Sequence, residues 1–227
     1  MNRARSLLMQ RRMMRTYKAR LVCRRGITRI CIEGFPRSAN SFAVRLFRSA
    51  NDVPVAHHTH STDNIQLALD YGIPVLILIR EPIHAIASAC IYQKRGVDEQ
   101  VDSWISFYKW VERVRHGVVL ADFEQVIRDF NWVIRSVNGK FATEFNLIRN
   151  LEATKQKVFE AIQDDAARRG KGFERIPIPS KKRQQAKAEY VSLLSRHPEA
   201  NVAQALYARI RPERPPKWGG HDPLGAC

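Results

Sequence analysis

The sequence has few cysteines and no long apolar run. None of its four cysteines forms a C-x-x-C pair, and Cys31 and Cys90 lie in apolar surroundings, which argues against a zinc site and favours a reducing compartment. In the strongly basic first 25 residues the longest apolar run is Leu7-Leu8-Met9, which is too short for a signal peptide or a membrane span. No later stretch reaches membrane length. These absences predict a soluble, cytoplasmic protein.

Acidic residues are also in short supply. The chain has 22 Asp and Glu against 38 Lys and Arg, so its formal net charge is +16. Such an excess implies an anionic partner: a nucleotide, a sulfated or phosphorylated substrate, a membrane surface or a nucleic acid.

The most informative stretch lies between residues 28 and 47. The apolar run Ile30-Cys31-Ile32 ends at Gly34, and a helical apolar pattern begins at Phe42. This strand, loop and helix layout can hold a phosphate on backbone N–H groups at the helix N-terminus. The loop lacks the lysine and the second glycine of the pattern G-x-x-x-x-G-K-[ST], and its only cation is Arg37. Triphosphate chemistry is therefore disfavoured.

Strand and helix patterns alternate through most of the chain. We expect strands near residues 30–33, 53–57, 73–79 and 118–120, and helices near residues 39–50, 61–71, 81–93 and 98–115, with one further helix from Asp122 through Val137. The alternation predicts an α/β fold: a parallel sheet of about four to five strands covered by helices, like that of P-loop nucleotide hydrolases, with a helical C-terminal part.

We expect a single domain that spans the whole chain. Its parts are a basic N-terminal arm or surface helix (1–25), a nucleotide-binding α/β core (28–140), a helical part (145–211) and an irregular tail (212–227). A transit peptide is the alternative for the first of these. Ligands of parallel sheets bind at the carboxyl ends of the strands. Gly34, the stretch from His57 to His60, and Arg80 all follow predicted strands, so we expect them to share one site.

A second phosphate-binding pattern follows the third predicted strand. That strand ends in Arg80, and Ser88 follows eight residues later within the next helix. A guanidinium can hold a phosphate through two parallel hydrogen bonds, and a hydroxyl can complete the cradle. Taken singly, Arg80 is equally explained by a salt bridge to Glu81, and Ser88 by an ordinary place in a helix.

The two patterns together resemble the sulfotransferase family over about residues 28 to 130. The loop Pro36-Arg37-Ser38-Ala39-Asn40-Ser41-Phe42 is similar to the family's 5′-phosphosulfate loop, and Arg80 with Ser88 to its 3′-phosphate site. The resemblance implies 3′-phosphoadenosine 5′-phosphosulfate as the cofactor, adenosine 3′,5′-bisphosphate as the product, and no metal. Ala39 stands where the family has glycine, so it would be strained if that position requires a positive φ.

The resemblance also assigns roles to single residues. Arg37, with Ser38, Ala39, Asn40, Ser41 and the N–H groups of the loop, would bind the 5′ group, and Phe42 would stack on the adenine unless it is a core residue of its helix. Lys181, Lys182 and Arg183 resemble a basic segment that closes over the nucleotide in many members, although a solvated helix start explains them as well.

The catalytic residues implied are His60 and Arg37. The stretch His58-Thr59-His60 is similar to the family's Lys-Thr-His, which makes His60 the expected base, while Arg37 stabilises the leaving phosphate. His57 and His58 are alternative candidates for the base. The three histidines are also explained as part of a polar loop or as a metal site. Glu33 is a further candidate, for which we expect a structural role.

The predicted function is transfer of a sulfuryl group to a hydroxyl or amine of an acceptor, with carbohydrates and lipids among the candidates. One alternative is a P-loop kinase or nucleotide hydrolase, which would need magnesium. The other is a non-catalytic, basic nucleic-acid-binding or scaffold protein on the same fold. Nucleic acid is the less favoured partner.

Overall fold

A computed structural model describes residues 3–168 and 181–213, with a central sheet of four parallel strands. The strands are β1 (Ile30–Gly34), β2 (Val55–His57), β3 (Val75–Ile79) and β4 (Val119–Asp122), in the order β2-β1-β3-β4. The α/β class and the parallel sheet predicted from the sequence are thus confirmed.

Helices cover both faces of this sheet. In the described part of the chain they are α1 (Arg3–Thr16), α2 (Asn40–Ala50), α3 (Thr62–Asp70), α4 (Pro82–Gln93), α5 (Val97–Val114), α6 (Phe123–Arg128), α7 (Phe130–Phe141), α8 (Leu151–Arg168), α9 (Lys181–Ser195) and α10 (Ala200–Ile210). Short 3-10 segments lie at Ala19–Leu21 and Arg115–Gly117.

The continuous aliphatic sequence of β3 is explained by burial on both of its faces. Val75, Ile77 and Ile79 belong to one hydrophobic cluster, whereas Leu76 and Leu78 belong to the other, because successive side chains of a strand point to opposite faces. The first cluster lies under α3, α4, α5 and α10, and the second under α2 and α7. The sheet is therefore the central layer between two cores.

The connections place the switch point of the sheet between the carboxyl ends of β1 and β3. The chain leaves β1 through α2 to reach β2 on one side, and then passes through α3 to β3 on the other side of β1. A sheet of this kind binds ligands where the strand order reverses. Gly34 is paired with Leu78 here, and a Cβ atom on Gly34 would lie 2.4 Å from the carbonyl oxygen of Leu78. The two strand ends therefore approach closely only because residue 34 is glycine.

The prediction of a single helix from Asp122 through Val137 is wrong, because the structure has two helices there, α6 and α7. Asp129 separates them with φ −141° and ψ 82°, and its carboxylate accepts a hydrogen bond from the N–H of Trp132 at 3.1 Å. An aspartate that caps a new helix in this way ends the preceding one. Periodicity could not show the break, since the apolar positions of both helices face the same core.

The N-terminal basic segment is a helix that packs on the domain. Helix α1 lies against α3, its Met13 is buried, and the Ser6 hydroxyl donates to Asp70 at 2.6 Å. Val22 and Cys23 are buried in the first core cluster. The expected tail from residue 214 onward and the segment 169–180 lie outside the described residues.

Candidate functional site

The loop between β1 and α2, residues 34–42, is called the phosphate loop below. Arg37 and Ala39 adopt left-handed backbone conformations, with φ values of 72° and 67°. Such a conformation costs a residue with a Cβ atom about 1–2 kcal/mol. Ala39, at the position where the sulfotransferase pattern has glycine, therefore occupies a strained conformation. Inside the loop, the Asn40 side-chain amide donates to the Phe35 carbonyl at 3.0 Å.

Helix α2 presents its N-terminus to this loop. The N–H of Ala43 donates to the carbonyl of Ala39 at 2.9 Å, so the N–H groups of Asn40, Ser41 and Phe42 precede that first helical bond. Their dipoles add to that of the helix and favour an anion at this end. The loop therefore has the geometry of an anion-binding site.

Tyr108 ties the phosphate loop to β3, a role that its sequence context did not reveal. Its hydroxyl donates to the Leu78 carbonyl at 2.7 Å, accepts from the N–H of Phe35 at 3.4 Å and lies 3.5 Å from Ser38 Oγ. The side chain is fully buried, and burial raises the pKa of its phenol, which stays neutral. The helical spacing of Tyr108 in α5 is that of a core residue, and the partners of its hydroxyl lie on other elements.

The structure brings Arg80 and Ser88 to the phosphate loop. Arg37 donates from Nε to Ser88 Oγ at 3.0 Å, and Arg80 donates from Nη1 to the Arg37 carbonyl at 3.2 Å. The guanidinium carbons of Arg80 and Arg37 lie 4.1 Å from the ring centre of Phe123 and 5.1 Å from that of Tyr92, respectively. Two cations and a hydroxyl from separate elements thus meet at the switch point between β1 and β3.

His57, the last residue of β2, and the loop that follows it, residues 58–61, are together called the histidine loop. This segment is organised by a buried carboxylate. Glu33 is fully buried in β1. Its Oε1 accepts from the Thr59 N–H at 2.9 Å, the Thr59 hydroxyl at 2.7 Å and the Asn64 side-chain amide at 3.0 Å. Its Oε2 accepts from the N–H of His60 at 3.0 Å. With its oxygens engaged in this way, Glu33 orients the loop rather than facing a substrate.

His60 joins the two loops. Its Nδ1 lies 2.7 Å from the carbonyl oxygen of Gly34. Because a carbonyl only accepts, Nδ1 carries the proton of the neutral ring, and Nε2 is then the atom with a free lone pair. His60 is thus held with its proton-accepting atom away from β1, as a general base requires.

His57 and His58 occupy a different environment. His58 Nε2 lies 2.9 Å from Ser41 Oγ, and its Nδ1 is hydrogen-bonded to Nδ1 of His57. Burial, together with the neighbouring histidines and arginines, lowers the pKa of His57 to about 3 and that of His58 to about 4. Both rings are therefore neutral at physiological pH and are weak proton acceptors.

The remaining predicted residues are Phe42 and the basic segment Lys181-Lys182-Arg183. Phe42 is half-buried and packs against the core cluster under α2, so adenine stacking remains a prediction for it. Helix α9 begins at Lys181, but the side chains of Lys181, Lys182 and Arg183 lie outside the described part of the structure. Within residues 3–168 and 181–213, no group of three or more His, Cys, Asp or Glu side chains is arranged to hold a metal ion.

Comparison with known proteins supports the fold. No protein-family model matches the chain, and no curated protein matches its sequence. Six chains of solved structures match, among them mouse sulfotransferase SULT7A1 complexed with PAP, with a TM-score of 0.52 and 10% sequence identity over 84% of this chain and 90% of that chain. At this identity the likeness is one of fold. None of the helices among the described residues is long and apolar enough to cross a membrane.

Proposed function

We propose that this protein is a sulfotransferase that moves a sulfuryl group from 3′-phosphoadenosine 5′-phosphosulfate to a hydroxyl or amine of an acceptor. The observation that carries the proposal is the contact of Arg80 and Ser88 with the phosphate loop. Arg80 and Ser88 are 43 and 51 positions from Arg37 in the chain, yet they contact it at the switch point of the sheet. A nucleotide with two phosphate groups needs two such sets of donors close together. The fold shared with a sulfotransferase that was crystallised with PAP agrees with it.

The donors present fit such a nucleotide. The N–H groups of the phosphate loop, with the side chains of Arg37, Ser38 and Ser41, would hold the 5′ group, and Arg80 and Ser88 the 3′-phosphate. Arg37 and Ser88 are in direct contact, so the arginine assigned to one phosphate lies within reach of the other. When bound, this nucleotide supplies an activated sulfuryl group whose transfer leaves a phosphate.

The side chains of the protein would perform two tasks in the transfer. Nε2 of His60 accepts the proton of the acceptor hydroxyl, and the hydrogen bond from Nδ1 to Gly34 keeps the ring in the tautomer that allows this. Arg37 and the helix N-terminus stabilise the negative charge that grows on the leaving phosphate. Arg37 provides this charge without giving up a proton, because a guanidinium stays protonated at neutral pH.

Calorimetry with adenosine 3′,5′-bisphosphate tests the proposal. We expect the wild type to bind it, and Arg37→Ala and Arg80→Ala each to weaken binding by about 10- to 100-fold, because each removes charge-assisted hydrogen bonds to phosphate. Arg113→Ala is the control, since Arg113 is exposed on α5, outside the phosphate loop, and the variant should bind like the wild type.

Two results would contradict the proposal. One is the absence of binding by the wild type, and the other is unchanged affinity in both arginine variants. Tighter binding of ATP with magnesium than of adenosine 3′,5′-bisphosphate would instead support a kinase or nucleotide hydrolase.

A further inference from the structure

A group of basic side chains lies beside the proposed base, at the edge of the sheet formed by β2. It consists of the residues Arg20, Arg45, Arg48, His57 and His58, which we call the β2-edge cluster. Arg45 and Arg48 follow Ser41 by four and seven residues in α2, so they lie on the same face of this helix as the serine that contacts His58. The residues of the cluster thus come from α2, β2 and the loop that follows it, and the 3-10 segment Ala19–Leu21, which packs against β2.

His57 faces α2 because of its place in the strand. Val55, two residues before it, is buried in the core cluster under α2, whereas Ala56 is buried in the opposite cluster. Side chains two residues apart in a strand share a face. The imidazole of His57 therefore lies on the face that carries Arg45 and Arg48, and the ring centre of His58 is 4.7 Å from it.

The positive charge of this cluster is only partly balanced by the protein. In the described part of the chain, its ion pairs involve one carboxylate, that of Asp165 in α8, which Arg45 shares with Arg168. Burial and the nearby guanidinium of Arg20 lower the pKa of Arg48, so these two arginines repel each other. His57 and His58 add no charge at neutral pH, since burial and the surrounding cations keep them unprotonated. A bound anion would relieve the repulsion.

The cluster adjoins the phosphate loop, where His58 contacts Ser41, and lies apart from the proposed 3′-phosphate position. The ring of His58 is 5.8 Å from that of His60, between centres. Arg80 and Ser88, by contrast, follow β3 and lie on the other side of β1. The cluster is therefore placed to contact a second molecule that reaches His60 from the β2 edge.

We propose that the β2-edge cluster binds an anionic group of the acceptor, a carboxylate, sulfate or phosphate, and thereby holds an acceptor hydroxyl at His60. The inference rests on the proposed function, since it names the class of substrate that this site would take. Guanidinium groups pair with all three anions through two parallel hydrogen bonds. Both ring nitrogens of His58 are engaged, by Ser41 and by His57, so the imidazole that can donate a hydrogen bond to the same group is that of His57, through Nε2.

The test uses a series of 4-nitrophenyl glucosides that differ only at carbon 6. One compound is neutral, with its hydroxymethyl group, and the other three carry a carboxylate, a sulfate or a phosphate there. Binding to the full chain is measured by calorimetry at constant ionic strength, once with saturating adenosine 3′,5′-bisphosphate and once without it. We expect at least one anionic glucoside to bind about tenfold more tightly than the neutral one.

Variants then locate the preference. The double variant Arg20→Gln and Arg48→Gln should reduce it to less than about twofold, because both unbalanced cations are removed. Its affinity for adenosine 3′,5′-bisphosphate and its circular dichroism should match those of the wild type, since neither arginine belongs to the phosphate loop. Arg113→Gln, which removes one exposed cation of α5, should keep the full preference.

The outcomes separate this inference from the proposed function. Equal binding of all four glucosides, or a preference that survives in the double variant, would overturn the anion site. Displacement of the anionic glucoside by a single-stranded oligothymidylate, at a concentration below that of the glucoside itself, would also overturn it and indicate a polynucleotide surface. Failure of the nucleotide to bind would remove the proposed function alone, because the series without nucleotide still reports on the cluster.

Discussion

The phosphate loop and the histidine loop are neighbours that are stabilised in different ways. Both contain left-handed residues other than glycine, which are Arg37 and Ala39 in the first and His58 and His60 in the second. The phosphate loop is closed mainly by its own chain, through the Asn40 amide on the Phe35 carbonyl and through the start of α2. In the histidine loop a local bond, from the Ser61 N–H to Thr59 Oγ1, is longer at 3.3 Å, and the N–H groups of Thr59 and His60 are bound by the carboxylate of Glu33 from another strand.

The difference shows why only one of the loops has a strong sequence signature. A turn that is closed by adjacent residues and a following helix leaves a compact pattern in the sequence. The histidine loop is held by Glu33, which is 26 or 27 positions away from its N–H partners, and such a contact leaves no compact pattern in the sequence. The carboxylate and these N–H groups are brought together only by the pairing of β1 with β2. Four predictions test this contrast, in order of decreasing effect.

The phosphate loop should be most sensitive to Gly34→Ala. The new Cβ would lie 2.4 Å from the Leu78 carbonyl oxygen, so β1 and β3 would have to separate at the site, and we expect a loss of about 3 kcal/mol or more in the free energy of unfolding. Urea denaturation measures it. Gly139→Ala is the matched control: no atom lies near its added Cβ, and alanine in helix α7 should stabilise by about 0.5–1 kcal/mol. A Gly34 variant as stable as the wild type would contradict the close approach.

The histidine loop should be most sensitive to Glu33→Gln. An amide would place a donor against N–H and O–H groups that now donate to the carboxylate, and we expect a loss of about 2–4 kcal/mol in the free energy of unfolding. Glu152→Gln, exposed in α8, should change it by less than about 0.5 kcal/mol. If the two substitutions had equal effects in urea denaturation, the carboxylate would not be what organises this loop.

The same loop should make stability depend on pH. The pKa values of His57 and His58 are about 3 and about 4 in the folded protein, whereas the ordinary value is 6.5. Below pH 6.5 these two side chains are therefore protonated in the unfolded chain but stay unprotonated in the folded one. Their contribution is present above pH 6.5 and is lost as the pH falls toward 4. Allowing for solvent screening, we expect the two rings to account for about 1–2 kcal/mol of the stability lost between pH 7 and pH 5.

A pair of variants isolates this effect from the titration of carboxylates. Replacing both histidines, as His57→Gln with His58→Gln, should make the decrease between pH 7 and pH 5 smaller by that amount. His116→Gln, which alters an exposed histidine outside the site, should leave the decrease as it is in the wild type. Identical slopes in all three proteins would mean that the two rings are accessible to protons when folded.

The smallest effect should come from Ala39→Gly in the phosphate loop. Glycine tolerates the φ of 67° without a Cβ clash, so we expect a gain of about 0.5–1 kcal/mol, reduced from the full strain by the greater freedom of glycine in the unfolded chain. Ala153→Gly, at an exposed position of α8, should have the opposite sign and a similar size. A loss of stability in the Ala39 variant would show that the methyl group contributes more by packing than it costs in strain.

Features that depend on residues close together in the chain could be predicted from the sequence, whereas contacts between distant segments could not. The strand near residues 73–79 and the helices near residues 61–71 and 81–93 were recognisable, since each depends on residues close in the chain. The helix break at Asp129 was missed, because capping and helix continuation leave the same apolar pattern. The bridging hydroxyl of Tyr108 was missed as well, since its partners belong to β1, β3 and the phosphate loop.

By itself, the sequence determined the alternation of strands and helices, the glycine at which β1 can approach β3, and the chemical types present after each strand. These depend on periodicity, turn residues and burial, which are properties of short segments. Only the tertiary structure decided that Arg80 and Ser88 reach Arg37, that Glu33 shapes the histidine loop, and which nitrogen of His60 is left to accept a proton. The physical reason is that each of these rests on a hydrogen bond between segments far apart in the chain, and such bonds form only once strand order and register have been set.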